Sequence, residues 1–259
     1  MTIRRTITLL TSTLLLCFTT ASYSQQPAQA SFDQANEQLE AGNYRQAISQ
    51  YKNLEAQNTI SGALYLNLGI SYQRIDSLGK AKYYLMKAAQ FEETSDRAED
   101  ALKFVESQFS RQSAVLPKLP WDVAVGWLQD HIGAENMLAA AIIILNIGVL
   151  IFAGHWFLHW KPQLLRITAY VLVGSAIVVM LTSFYTHYVS QRYSTAVMIT
   201  QKVPVTENPQ QDASLVSQAF EGYTFTVDHR RSQSHPGWSY VRMSNGLYGW
   251  IPNNKILIL

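Results

Sequence analysis

Few side chains in this sequence stand at spacings that do chemistry. His155 and His159 are four residues apart, so a helix would place them on one face, a spacing that can bind a metal or haem. The competing reading is a pair of interfacial histidines among Trp156 and Trp160. Asn146 lies inside an apolar run and offers a hydrogen bond to a second helix, or to a neighbouring subunit or water. His229-Arg230-Arg231 with Arg242 offers a basic patch for an anionic polymer, against a plain solvated loop. No phosphate-cradling Gly-x4-Gly-Lys-Ser/Thr loop, dinucleotide fingerprint, Gly-x-Ser-x-Gly elbow or His-Glu-x-x-His pair is present. Cys17 is the only cysteine, which excludes a disulfide framework, a multi-cysteine metal site and a papain-like hydrolase outside the leader. The expectation is a protein that is not an enzyme, with no catalytic, cofactor-binding or metal residue.

The elements that would position these residues follow from uneven charge. The chain is 48% apolar, 15% charged and carries a formal +2, which suggests neither a nucleic-acid-binding polycation nor an acidic tail. Residues 1–24 read as a secretory signal. Arg4 and Arg5 precede the apolar run Ile7–Phe18, and Ser22-Tyr23-Ser24 supplies small residues at cleavage spacing. An uncleaved anchor is the alternative, and lipoprotein processing at Cys17 is opposed by the bulky Leu16. Met137–Phe157 and residues 167–186 are uncharged, and each is long enough to cross the ~30 Å hydrocarbon layer. The turn between them, 158–166, carries Lys161 and Arg166 and no acid, which assigns it to the cytoplasm. Both flanking regions are then extracytoplasmic, in an inner membrane.

Residues 31–110 hold 19 charged side chains and repeat at a lag of 34, the tetratricopeptide period, in Ala35/Gly69, Ala47/Ala81, Tyr51/Leu85 and Leu54/Ala88. Tyr65-x-x-Leu68-Gly69-x-x-Tyr72, then Ala81, Leu85 and Ala88, sets small positions against large ones so that two helices approach closely. The first repeat is weaker, with Gln34 and Gln38 where Leu68 and Tyr72 stand. Ser31-x-x-Gln34 reads as a capping box, Gly42-Asn43 as a turn and Ser77 as a helix cap. A fifth helix over about 95–109 closes the stack. Two repeats plus a cap are marginal, which leaves something else to complete the core. Within the linker 111–136, Trp121, Val125, Leu128 and Ile132 share a helical face, for the membrane surface or for packing on the repeats.

Residues 193–259 turn to short β-type runs at 196–200, 223–227, 238–242, 248–251 and 255–259, with Asn245-Gly246 as a hairpin turn. Five strands imply a small closed barrel. Phe220-Glu221-Gly222, Gly237-Trp238 and Asn245-Gly246-Leu-Tyr-Gly249-Trp250-Ile251-Pro252 resemble bacterial SH3-like domains. The fold class expected is therefore multidomain: an all-α tetratricopeptide repeat, a two-helix transmembrane hairpin and an all-β SH3-like barrel.

That order of modules resembles BatE-type proteins of the bacterial aerotolerance (Bat) system. The resemblance implies a membrane-bound component that works beside von Willebrand-domain proteins in stress tolerance. Two surfaces are candidates. The first helices of the repeats offer Asn36, Leu39, Asn67, Ile70, Gln73 and Arg74 to a partner peptide or helix. The barrel offers Trp238, Tyr240, Tyr248 and Trp250, with peptidoglycan as an alternative ligand. The expected partners are other membrane proteins and the lipid bilayer, and no nucleic acid.

Overall fold

The computed structural model describes residues 25–111, 116–117, 120–157 and 163–259. The leader expected over 1–24, the centre of the turn with His159 and Trp160, and the side chain of Trp121 lie outside the described residues.

The helical region comprises α1 (Gln25–Glu40), α2 (Tyr44–Ala56), α3 (Gly62–Arg74), α4 (Leu78–Ala88) and α5 (Ser95–Gln108). Small residues set its spacing. Ala47, Ala81, Ala88 and Ala98 are fully buried, and a Cβ on Gly69 would stand 2.6 Å from Leu85 Cγ, so α3 and α4 touch through that glycine. Tyr51, Leu54, Leu64, Leu68 and Leu85 fill the core. Gly42 turns the chain between α1 and α2 with φ +78°, and Ser61 caps α3 by accepting from the Leu64 N–H at 3.1 Å, a bond worth ~1 kcal/mol. Two expected caps fail. Ser31 lies inside α1, because the Gln- and Ala-rich residues before it continue the helix. Ser77 occupies the cap position of α4, but its hydroxyl makes no cap bond. The Glu221 carboxylate accepts from the Gly79 N–H at 2.8 Å in its place.

Glu221 belongs to the C-terminal sheet, whose strands are β1 (Tyr193–Met198), β2 (Lys202–Thr206), β3 (Leu215–Phe220), β4 (Thr224–Asp228), β5 (Trp238–Met243), β6 (Tyr248–Pro252) and β7 (Ile256–Ile258). They form one antiparallel sheet in the order β3-β2-β6-β5-β4-β1-β7. All seven strands contribute to one core, including Met198, Val205, Ala219, Phe225, Val241, Ile251 and Ile256, so the sheet curls around it. The expected count of five strands is corrected to seven. Strands β2 and β3 escaped notice because Pro204 interrupts the first and Ser217-Gln218 the second. Pro204 is tolerated because β2 pairs along its length with β3 but meets β6 only at Thr206↔Trp250. The expected hydrogen-bonded closure is not found: the order ends on β3 and β7, with no pairing between them among the described residues.

The sheet completes the helical core. Along β1 the side chains alternate, so Ala196 and Met198 enter the sheet's own core while Val197, fully buried, joins the core of the helices. Its cross-strand partner Leu257 packs on the same side, as does Leu259. Tyr83 donates its hydroxyl proton to the Ile258 carbonyl at 3.3 Å. The chain leaving α5 then straps the sheet. Phe109 lies against Gly222, Arg111 sits 4.5 Å over the Phe220 ring, and the Leu116 N–H donates to the Ser244 carbonyl at 2.9 Å.

After α6 (Pro120–His131), two helices are long and apolar enough to cross a membrane: α7 (Ala134–Phe157) and α8 (Gln163–Arg192). They form an antiparallel hairpin through small residues, with Ala141 and Gly148 on one helix and Ala169, Ala176 and Ser183 on the other all buried. Ser183 donates to the Ala134 carbonyl at 2.6 Å near one end, and the Phe152 and Tyr170 rings lie 6.0 Å apart toward the other. The helical region and the sheet therefore leave the hairpin at the same end. Helix α8 passes into β1 with no intervening residue, and Arg192 binds Asp228 at 2.8 Å. Trp156, Tyr170, Tyr185 and Tyr188 are exposed near the helix ends, as aromatic residues are at membrane interfaces. Along α6, Val123 and Trp127 are exposed, as is Ile132 just beyond it.

Candidate interaction surfaces

The first surface lies on the helical region. Helices α1 and α3 are neighbours, which brings Asn36 and Asn67 together: the Asn67 side-chain amide donates to the Asn36 side-chain oxygen Oδ1 at 2.9 Å. Tyr51, which sequence reasoning treated only as a core residue, donates its hydroxyl proton to the same oxygen at 2.6 Å. Burial pushes this phenol up to about 12, against the opposing hydrogen bond with Asn67. The hydroxyl therefore stays protonated and acts as a donor throughout the physiological range. Leu39 and Ile70 pack against the core and are half-buried, so their first role is structural. Gln73 is half-buried like the other four, and Arg74 is exposed, which makes Arg74 the most accessible of the six.

Across α2, α3 and α4, ion pairs and rings are interleaved. Glu55 accepts from Lys52 at 2.7 Å and from Lys87 at 3.0 Å, and Tyr84 donates to it at 3.2 Å. The Lys87 ammonium also sits 3.9 Å from the Tyr65 ring centroid, and Tyr72 stacks on Tyr84 at 5.4 Å. Burial works against the Glu55 charge, but the hydrogen bonds from Lys52 and Lys87 outweigh it and hold the carboxyl below its usual range. Lys52 is likewise raised: burial lowers it, and its hydrogen bonds to Glu55 and Tyr84 prevail. The lowered carboxyl stabilises the fold at pH values above its unfolded value of about 4.3, and the contribution is lost as pH falls through the folded value. The expected result is that Glu55→Gln lowers the melting temperature at pH 7 by about 2–4 °C, with the gap to the wild-type chain closing at acid pH. A thermal melt at several pH values checks this, and a gap independent of pH contradicts it.

The second surface lies on the β5–β6 hairpin. Its turn uses Gly246 with φ +85°, while Asn245 accepts from the Leu247 N–H at 3.2 Å. The register Tyr240↔Trp250 and Arg242↔Tyr248 places these four side chains on one face. Tyr240 meets Trp250 edge-on at 5.2 Å and stacks with Tyr248 at 6.1 Å. Trp238, opposite Pro252, continues the same face. Tyr248 is half exposed and Trp250 only 8% exposed, so Trp250 is the floor and Tyr248 the open edge. Sequence reasoning did not place His235, whose ring packs on Trp250 at 4.8 Å. Nor did it interleave the arginines with these rings: Arg231 lies 4.5 Å over Tyr240, and Arg242 lies 5.7 Å over Tyr248.

The other candidates resolve differently. The Asn146 amide donates to the Ile142 carbonyl at 2.7 Å within its own helix and not to the second helix, one of the two partners weighed for it, because an exposed amide reaches the carbonyl four residues back. His229 contacts the Ser194 hydroxyl at 2.9 Å. Among the described residues, no group of three or more His, Cys, Asp or Glu is placed to hold a metal ion. Neither a protein-family model nor a curated protein matches this chain.

Proposed function

We propose that the chain is a non-catalytic, membrane-bound scaffold, similar to BatE-type proteins, with tetratricopeptide-type repeats and an SH3-like barrel on the extracytoplasmic side. The observation that carries this reading is the joint. Both water-exposed regions leave one end of the hairpin and share a core through Val197 and Leu257. Arg74 on the repeat face and Tyr248 on the ring face are exposed. Such a body holds two ligands at a fixed separation instead of letting them diffuse on a tether. Lys161 and Arg166 in the turn support the outward orientation. Membrane proteins, including von Willebrand-domain neighbours, are the proposed partners of the repeat face. A photo-crosslinking residue placed at Gln73 or Arg74 in living cells is expected to capture a discrete partner protein. Adducts absent at both positions overturn the reading.

A second reading is favoured by the ring-and-arginine face, whose composition suits the glycan and peptide stems of a cell wall. The full chain in detergent is expected to sediment with isolated wall material, and Tyr248→Ala with Arg242→Gln to reduce the bound fraction several-fold. Failure of the wild-type chain to sediment removes this reading and leaves the scaffold intact.

A further inference from the structure

The end of α8 carries an imbalance of charge that neither proposed surface uses. Arg192 is committed to Asp228, yet it also donates to the Tyr188 hydroxyl one helical turn back. The one-turn helix α9 (His229–Ser232) that follows β4 packs against α8 and carries the exposed Arg230 beside this pair. The Arg192 guanidinium on the Tyr188 hydroxyl and the exposed Arg230 thus lie at one end of α8. Arg231, next in the same turn, belongs to the ring face instead, over Tyr240. Among the described residues, Asp228 is the one carboxylate in contact with this group.

The depth of the cluster says what meets it. If the hydrocarbon span ends at Thr186, Tyr188 stands ~3 Å beyond it at 1.5 Å per residue, and the Arg192 guanidinium reaches back from ~9 Å to the Tyr188 hydroxyl. The headgroup layer is ~5–8 Å thick on each side of the hydrocarbon. Arg230 is held at that level because the sheet is continuous with α8 and locked to it by Arg192–Asp228. Tyr185 and Tyr188 flank the site with half-exposed rings. We propose that Tyr188, Arg192 and Arg230 bind the phosphate of an anionic phospholipid in the leaflet beside the sheet. The bound headgroup completes the coordination of the two guanidinium groups and fixes the height and rotation of the joint above the bilayer.

The inference rests on the membrane reading of α7 and α8, and the test separates the two. The full chain is placed in nanodiscs of phosphatidylcholine with a minority of phosphatidylglycerol, and the lipids it retains are counted by native mass spectrometry. The wild-type chain is expected to retain phosphatidylglycerol well above its share. Arg230→Gln, which leaves Arg192–Asp228 in place, is expected to reduce that preference about five-fold. Arg97→Gln, an equal loss of charge on the exposed side of α5, is expected to leave it unchanged. No preference in the wild-type chain, or an equal drop in both variants, overturns the site. Displacement of the lipid by millimolar inorganic phosphate reassigns it to a soluble anion and overturns the lipid proposal. A chain that does not enter the bilayer defeats the membrane reading and this inference together, whereas insertion without preference defeats only the latter.

Discussion

Gly79→Ala will separate the helical region from the sheet. A Cβ at position 79 would stand 2.4 Å from the Met198 carbonyl oxygen and 2.9 Å from Ile199 Cα. Both are backbone atoms at the end of β1, so no rotamer change relieves the contact and one body must move away. The Glu221 carboxylate that caps α4 through the Gly79 N–H is then lost as well. Overpacking costs ~1–3 kcal/mol and a lost cap ~1 kcal/mol, so the joint weakens by about 2–4 kcal/mol. The sign is informative, because alanine in place of glycine favours an isolated helix by up to about 1 kcal/mol. Any destabilisation must therefore come from the contact across the joint. Gly126→Ala is the control, since nothing lies within 4 Å of its Cβ position. Nitroxides on Lys103→Cys and Asn254→Cys, one on each body, are expected to give one narrow distance in the parent chain and a broad distribution with Gly79→Ala. A narrow distance in both would mean that the joint is not where the structure has it.

This joint was the least legible feature of the sequence, for a physical reason. Gly79 and Glu221 are 142 residues apart, and each has an adequate local explanation. Gly79 looks like a small residue in a helix start below Ser77, and Glu221 looks like part of the Phe220-Glu221-Gly222 turn of an SH3-like domain. What could be read was whatever local size and period dictate. The alternation of Tyr65, Leu68 and Leu85 with Gly69, Ala81 and Ala88 required two helices in close contact, and α3 and α4 meet through those residues. The marginal length of the helical stack correctly implied a missing part of its core, but nothing local identified Val197 and Leu257 as that part. A strand buried on both faces reads as an ordinary apolar run. The ring face was legible in membership, because Tyr240, Tyr248 and Trp250 alternate along two strands joined by Asn245-Gly246. Its arginines were not, since Arg231 reaches Tyr240 from another element.

The second large effect is expected inside the hairpin. A Cβ on Gly148 would lie 3.0 Å from Val173 Cγ2 and 3.2 Å from both Leu172 Cβ and the Val173 nitrogen. A methyl group there asks the neighbours to yield by tenths of an ångström. The branched side chain of Gly148→Leu has nowhere to go without parting the helices. On the membrane reading proposed above this matters more than in water, because lipid supplies no hydrophobic force between α7 and α8 and packing supplies most of the attraction. Overpacking of ~1–3 kcal/mol, with loss of the Ser183–Ala134 hydrogen bond at ~0.6 kcal/mol, offsets a large share of it. Nitroxides replacing Phe152 and Tyr170, whose rings are 6.0 Å apart, are expected to broaden each other's spectrum in the parent chain and to lose that broadening with Gly148→Leu. The sheet should melt unchanged, since Arg192–Asp228 and the α8–β1 continuity lie beyond the disturbed contact. Broadening that survives the leucine would show that α7 and α8 are not packed through Gly148. The small-residue seam would then not hold the helical region and the sheet at one end of the hairpin.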